Sequence, residues 1–292
     1  MSTVTGARYI AETFKSYGVT HVFYMEIILP KSLIEMERMG IRRIVTHSEK
    51  AAAYMADGYA RLSRRPGICM AQSVGAANLA AGLQDAFLAH SPVIAVTGSK
   101  PTLYQHRNAY QEILHNPLYD NLTKYNVKVD TVEQLPFVLP QAFREATTVA
   151  PGPVHLDLLG LFGEFVENAG GDLKAVAEPA YGSYPVWRPV PDPQDLERAA
   201  RALLEAERPV IVVGRGAVQS GAAEEVVRLA EQLSIPVASS PDGLAVVVDQ
   251  HPLFVGPVGG YGRPSANHVV SRADLVFFIG CGTGDQVTKN WT

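Results

Sequence analysis

The sequence predicts an α/β protein, a parallel sheet with helices on both faces, followed by a second, incomplete Rossmann-like α/β unit. Three observations predict it. Short β-rich runs alternate with helical ones through the first 160 residues, the pattern of parallel strands joined by crossover helices. A stretch rich in Pro and Gly, with little periodicity, then interrupts the alternation. The alternation resumes near Asp195 but yields only three further strands, few for an open parallel sheet. The expected organisation is therefore residues 1–165 as the first domain, 166–193 as a linker lying extended along the surface, and 194–292 as part of a second domain.

In order, helical spacing is expected over Gly6–Tyr17, a strand over Val19–Tyr24, and a helix over Lys31–Met39. A strand follows over Ile41–Val45, a helix over Glu49–Arg61, a strand over Gly67–Gln72, and a helix over Ala76–Ala89. Pro92–Thr97 reads as a strand and Leu135–Thr147 as a helix, and the Pro151-Gly152-Pro153 turn launches a strand at Val154–Leu158. After the linker come a helix at Leu196–Ala206, strand Pro209–Val213, helix Ala222–Leu233, strand Ile235–Ala238 and strand Leu275–Ile279.

Composition narrows the classes. A hydrophobic fraction of 47% and a formal net charge of −4 describe an ordinary globular protein with no basic footprint for nucleic acid. Cys69 and Cys281 stand alone in apolar runs and read as buried free thiols, not metal ligands. The N-terminus lacks the apolar core of a signal peptide and no apolar run reaches membrane-spanning length, so a cytoplasmic protein is expected.

The richest stretch runs Thr46-His47-Ser48-Glu49-Lys50-Ala51-Ala52-Ala53-Tyr54-Met55-Ala56-Asp57-Gly58-Tyr59-Ala60-Arg61. From Ala51 to Ala60 only Asp57 is charged, so this helix should be buried on most sides, and its small residues let another helix approach. Glu49 at its mouth is a candidate desolvated acid. Thr46-x-x-Glu49 is equally a capping box, and a first-turn Glu complements the helix dipole. On spacing alone the cap is the favoured reading.

The longer pattern changes that balance. Residues Ile44 to Arg61 resemble the H-x-E-x-A-A-x-x-M-A-x-G-Y-A-R segment in the N-terminal pyrimidine-binding domain of thiamine-diphosphate (ThDP) enzymes of the acetolactate synthase type. The likeness continues through Arg65-Pro66-Gly67-Ile68-Cys69, Gly75–Leu83 and Ser91–Gly98, and less strictly to Tyr110-Gln111-Glu112. The resemblance implies that Glu49 meets N1′ of the aminopyrimidine and favours the imino tautomer that takes the proton from C2. That task needs a carboxyl able to share a proton near neutral pH.

Ser73-Val74-Gly75-Ala76-Ala77-Asn78 opens a helix after a strand. From the residues alone it is a plain turn, and the resemblance makes Ser73, Gly75 and Asn78 cofactor-binding, although the family's Pro is missing and the turn is one residue shorter. Tyr110 and Gln111 are either an exposed polar loop or, by resemblance, the substrate side of the cofactor. His106 and His115 flank them, either able to shuttle protons, with nothing in the spacing to choose. The clearest departure is Phe23-Tyr24-Met25-Glu26-Ile27-Ile28, where the family has F-G-x-P-G-G. Bulky residues replace glycines, and Met25, Glu26 and Ile27 are expected to reshape the substrate pocket. An unpaired buried carboxylate is costly, so Glu26 should be exposed, paired or functional.

In the family a third domain binds the diphosphate through Mg²⁺, using a G-D-G segment and a following Asn pair. Neither Gly171-Asp172 nor Gly284-Asp285 has that continuation. The resemblance thus implies half of an enzyme, its ThDP shared with another chain that carries the Mg²⁺ site, in a homo- or hetero-oligomer acting on 2-oxo acids. Val213-Gly214-Arg215-Gly216-Ala217 lacks the third Gly of a dinucleotide fingerprint. An FAD there, as in acetolactate synthases, is less favoured than glycines that merely close loops, and an ADP-like ligand stays open. The expected function is 2-oxo acid decarboxylation and carboligation. A 2-hydroxyacyl lyase and a non-catalytic scaffold subunit are the alternatives.

Overall fold

A computed structural model describes residues 3–174 and 177–291. The chain divides into two compact units, Met1–Trp187 and Arg188–Thr292.

The first unit contains β1 (Val4–Thr5), α1 (Gly6–Ser16), β2 (His21–Met25), α2 (Pro30–Arg38), β3 (Arg42–Val45), α3 (Glu49–Ser63), β4 (Gly67–Ala71) and α4 (Ala76–Leu88). It continues through β5 (Val93–Ser99), α5 (Asn116–Tyr119), β6 (Tyr125–Val129), α6 (Leu135–Thr147), β7 (Val154–Leu159), α7 (Glu164–Asn168) and β8 (Gly170–Gly171). Six strands form one parallel sheet in the order β3-β2-β4-β5-β7-β6. This is the doubly wound architecture that the alternation predicts.

Strand alternation builds two cores. Ile68 and Met70 of β4 and Ile94 and Val96 of β5 face one side, with Tyr9, Phe14, Met36, Leu139 and Phe143 from α1, α2 and α6. Cys69, Ala71, Val93 and Ala95 face the other, where Ala52, Ala53 and Ala56 of α3 meet Leu79 and Leu83 of α4. The small residues of α3 allow close approach. A Cβ built on Gly82 of α4 would lie 2.6 Å from Ala53 Cβ and 2.9 Å from the Lys50 carbonyl oxygen. Gly82→Ala is therefore expected to destabilise the unit by roughly 1–3 kcal/mol, the cost of overpacking, and to lower its urea midpoint. An unchanged midpoint would show that the two helices can part at no cost.

Described residues beyond 165 also belong to this unit, as far as Trp187. β8 pairs antiparallel with β1, Glu167 accepts from Ser32 N at 2.9 Å and Ser32 Oγ at 3.0 Å, and Tyr184 Oη donates to the Ala60 carbonyl at 3.0 Å. Burial pushes the Glu167 carboxyl up, against those hydrogen bonds.

The second unit holds α8 (Pro193–Glu205), β9 (Pro209–Val213), α9 (Arg215–Ser220), α10 (Ala223–Leu233), β10 (Val237–Ser239), β11 (Phe254–Pro257), α11 (Pro264–Ser271), β12 (Leu275–Ile279) and α12 (Asp285–Thr288). Its parallel sheet runs β11-β10-β9-β12, one strand more than the three expected. Of the two thiols, Cys69 is fully buried and Cys281 only half-buried. No described helix is long and apolar enough to cross a membrane.

Candidate active site

The carboxyl ends of β2, β3 and β4 carry the predicted residues, where open parallel sheets bind ligands. β3 leads to Glu49, β4 to Ser73 and Gly75, and β2 to Met25, Glu26 and Ile27.

The cap of α3 differs from the spacing-based expectation. Ser48, not Thr46, is the N-cap, and its side chain accepts from Ala51 N at 3.2 Å. Thr46 Oγ1 turns back and donates to the Ser48 carbonyl at 2.8 Å. Glu49 is the first helical residue, half-buried, and its carboxyl is not used for capping. Oε2 accepts from Asn78 Nδ2 at 3.2 Å, and the carboxyl lies flat on Gly75, where an added Cβ would come within 2.7 Å of Oε1. Glu49, Gly75 and Asn78, separated by up to 29 residues, thus form one cluster at the mouths of α3 and α4.

Ser73 and Gln111 join it from the adjacent loop. Ser73 Oγ donates to the Gln111 carbonyl at 2.8 Å, and Val74 N donates to Gln111 Oε1 at 3.3 Å. The Gln111 carbonyl oxygen of its side chain is therefore turned onto the 73–75 turn, while Tyr110 is 73% exposed. Gln111 sits in the left-handed region at φ 57°.

The β2–α2 loop keeps a glycine-like backbone without glycine. Ile27 and Leu29 have φ 32° and 46°, strained for such side chains. Leu29 N donates to the Phe162 carbonyl at 2.9 Å, and Ile28 and Leu29 are fully buried. Met25 is half-buried, and Glu26 and Ile27 are exposed, Glu26 thereby avoiding the cost of a buried unpaired charge.

A buried polar network that the sequence reading did not assemble lies under this cluster. His155 and Asp157, two apart on β7, face the side opposite Leu156. Thr97 Oγ1 lies 2.7 Å from both Asp157 Oδ1 and His155 Nε2, and His155 Nδ1 is 2.8 Å from Asn126 Oδ1. His115 Nδ1 is 3.2 Å from Asp157 Oδ1, and Tyr119 stacks on His155 with ring centroids 3.6 Å apart. A histidine and an aspartate two apart in an apolar strand were the available signal, but their partners are 29 to 60 residues away.

Burial pushes His155 down to about 3. Burial alone would raise Asp157, but the hydrogen bonds from His115 and Thr97 and the nearby imidazoles hold it below the ordinary value. Both shifts make the unit acid-labile. Below the ordinary histidine value of 6.5 the unfolded chain takes up a proton at His155 that the native chain refuses. The contribution of Asp157 is full above its ordinary 3.8 and is lost as pH falls through its lower native value. The urea midpoint should fall steadily between about pH 6.5 and pH 4, and His155→Gln should flatten that descent. A flat wild-type profile would contradict the neutral buried imidazole.

In the second unit the Gly-rich turn is internally engaged. Gly214 N donates to the Ile279 carbonyl at 2.9 Å, Gly216 N to the Gly280 carbonyl at 2.8 Å, and Ala217 N to the Gly214 carbonyl at 3.1 Å. These N–H groups are not free for a phosphate, which favours loop closure over a flavin or ADP cradle. Among the described residues no group of three or more His, Cys, Asp or Glu is placed to hold a metal ion.

Comparison with known proteins agrees with this geometry. Residues 4–121 match the family model of the thiamine pyrophosphate enzyme N-terminal TPP binding domain, and residues 196–292 match the thiamine pyrophosphate enzyme central domain. The chain belongs to the thiamine pyrophosphate enzymes, of the acetolactate synthase type.

It is 40% identical to a probable acetolactate synthase large subunit of Methanocaldococcus jannaschii, over 84% of this chain and 41% of that protein. It is 33% identical to an acetolactate synthase of Arthrospira platensis, over 97% and 51%, and 32% identical to the acetolactate synthase large subunit of Corynebacterium glutamicum, over 98% and 45%. The chain thus spans about half the length of the curated relatives it matches.

Proposed function

We propose that this chain supplies the pyrimidine side of a ThDP site in an enzyme that makes or breaks C–C bonds next to a carbonyl, with acetolactate synthase-like carboligation of 2-oxo acids as its activity. The observation that carries the reading is the Glu49 carboxyl. Ser48 has taken over the cap, Asn78 orients one oxygen, and Gly75 leaves the other uncovered by a side chain. A half-buried carboxyl so placed fits the aminopyrimidine ring: it can hold a proton at the ring nitrogen while Asn78 fixes its plane. Bound there, ThDP supplies the carbanion chemistry of its thiazolium. Ser73 and Gln111 close the turn beside the ring, and Met25, Glu26, Ile27 and Tyr110 border the space for substrate. The diphosphate and its Mg²⁺ we assign to a domain outside residues 1–292, joined to this chain or carried by a partner.

Titration of the ¹⁵N-labelled chain with ThDP tests the reading. The amides of Glu49, Gly75 and Asn78 should shift, whatever holds the diphosphate. No shift at millimolar ThDP would leave a scaffold subunit as the better reading.

Association is part of the proposal. Tyr54, Met55 and Leu62 stand at helical spacing on the open face of α3, 43%, 47% and 90% exposed. The small apolar residues of α3, Ala52, Ala53 and Ala56, are buried within this chain. The face left for a partner is the one carrying Met55. Sedimentation should find a dimer or larger species at micromolar concentration, and Met55→Glu should yield a folded monomer. Ala53→Glu should instead unfold the domain. A wild-type monomer would remove the interface.

A further inference from the structure

The turn that follows β7, residues 160–164, has no part in the proposed function, yet it touches two loops of the candidate site. The Leu161 carbonyl accepts from Ser73 N at 3.0 Å, and the Phe162 carbonyl accepts from Leu29 N at 2.9 Å. Gly160 N donates to the Ser99 carbonyl at 2.7 Å, which seats the turn on the end of β5.

Among the described residues, no carbonyl accepts from the N–H groups of Leu161 and Phe162. Both go to one side chain. Leu161 N donates to Glu164 Oε1 at 3.2 Å, and Phe162 N donates to Oε2 at 3.0 Å. Two successive N–H groups that converge in this way form a concavity suited to an anion, and the chain fills it with its own carboxylate. Gly160, at φ 117°, leaves the room, since a side chain there would collide with Oε2.

Peptide planarity carries this contact across to the site. Phe162 N and the Leu161 carbonyl belong to one rigid trans peptide group, whose two ends point in opposite directions. Glu164 accepts at one end, and Ser73 N donates at the other. The group cannot rotate away from Glu164 without leaving Ser73. A charge-assisted bond at its N–H also strengthens the bond at its carbonyl. The next peptide is held differently. Its N–H, that of Gly163, goes to the Gly160 carbonyl at 3.1 Å, and its carbonyl, that of Phe162, takes Leu29 N. The link to Leu29 thus runs through backbone alone.

We propose that Glu164 is a positioning residue that, by fixing the 161–162 peptide, holds Ser73 N and with it the Ser73–Gly75 turn against the Glu49 carboxyl. Gly75, two residues on, lies so close to Glu49 that a Cβ would come within 2.7 Å of Oε1, so a shift of the turn reseats that carboxyl. The consequence for ThDP rests on the function proposed above; the link from Glu164 to Ser73 does not.

The test uses the 292-residue chain and reads each hydrogen bond in the native state, by the NMR scalar coupling between the amide nitrogen and the carbonyl carbon that it joins. A change in overall stability alone does not move that coupling. The Ser73–Leu161 coupling should be lost in Glu164→Ala, while the Leu29–Phe162 coupling persists. Glu164→Gln keeps the shape but only one accepting oxygen and no charge, so its Ser73–Leu161 coupling should fall between the two. It decides alone should Glu164→Ala not fold. A side chain that only filled space would leave Glu164→Gln at the wild-type value, and that result would overturn the proposal. So would equal losses at Ser73 and Leu29. With ThDP added, the Gly75 amide should need several-fold more ligand to shift in the weakened variant than in the wild type, and an equal midpoint would overturn the role in positioning. A wild-type chain that does not respond to ThDP, with the couplings as expected, would remove the cofactor reading and leave the link from Glu164 to Ser73 standing.

Discussion

Glu49→Gln should slow C2-proton exchange of ThDP in the assembled enzyme by about two or more powers of ten, with little change in urea midpoint or sedimentation. The expectation is large because Gln keeps the shape and the hydrogen bond with Asn78 but cannot share a proton with a ring nitrogen. It is cleanly separable from folding because the cap of α3 is Ser48. Exchange followed by proton NMR decides the matter. A rate equal to wild type would reduce Glu49 to a charge at the helix N-terminus, worth tenths of a kcal/mol to stability and nothing to chemistry.

Gly75→Ala should cost nearly as much for a different reason. The added methyl would lie 2.7 Å from Glu49 Oε1 and 2.8 Å from its Cγ, so the carboxyl must swing off the turn. A displacement of about 1 Å at such a group can cost on the order of 10²-fold in rate. Because the effect runs through Glu49, the two substitutions should not add. Gly75→Ala in the Glu49→Gln background should slow exchange little further. Additive losses would show that Gly75 meets the cofactor on its own account.

Local pattern made most of the first unit legible. Strong periodicity placed α6 at Leu135–Thr147, matching the structure, and brought the ends of α1, α3, α4 and β7 to within one or two residues. β6 escaped because Tyr-Asn-Val-Lys-Val is half polar and sits at the sheet edge, where one side needs no apolar cover. β11 escaped because Gly256 and Pro257 read as breakers, and an edge position tolerates them.

For the candidate site, the motif singled out Glu49, Gly75 and Asn78, which the structure brings together, while the Thr46-x-x-Glu49 spacing misread the cap, since Thr46 and Ser48 both offer a hydroxyl and only backbone geometry selects between them. The His115–Asp157–Thr97–His155 network joins residues 42 to 60 positions apart, and no local spacing encodes it. His115 was singled out only for lying near Gln111.

The Ser48 cap also shapes how this protein can change over time. Where one residue both starts a helix and performs chemistry, losing the chemistry loosens the fold, and the damaged copy tends to be cleared. Here a change at Glu49 leaves α3 capped, with its buried face of alanines intact. If Glu49 carries the proposed chemistry, a copy that has lost activity in this way would stay folded and keep its exposed Met55 face, able to take a place beside active copies wherever the proposed interface forms. Under the function proposed above, a lineage could pass from enzyme to silent companion, or return, through one codon and without an unstable intermediate.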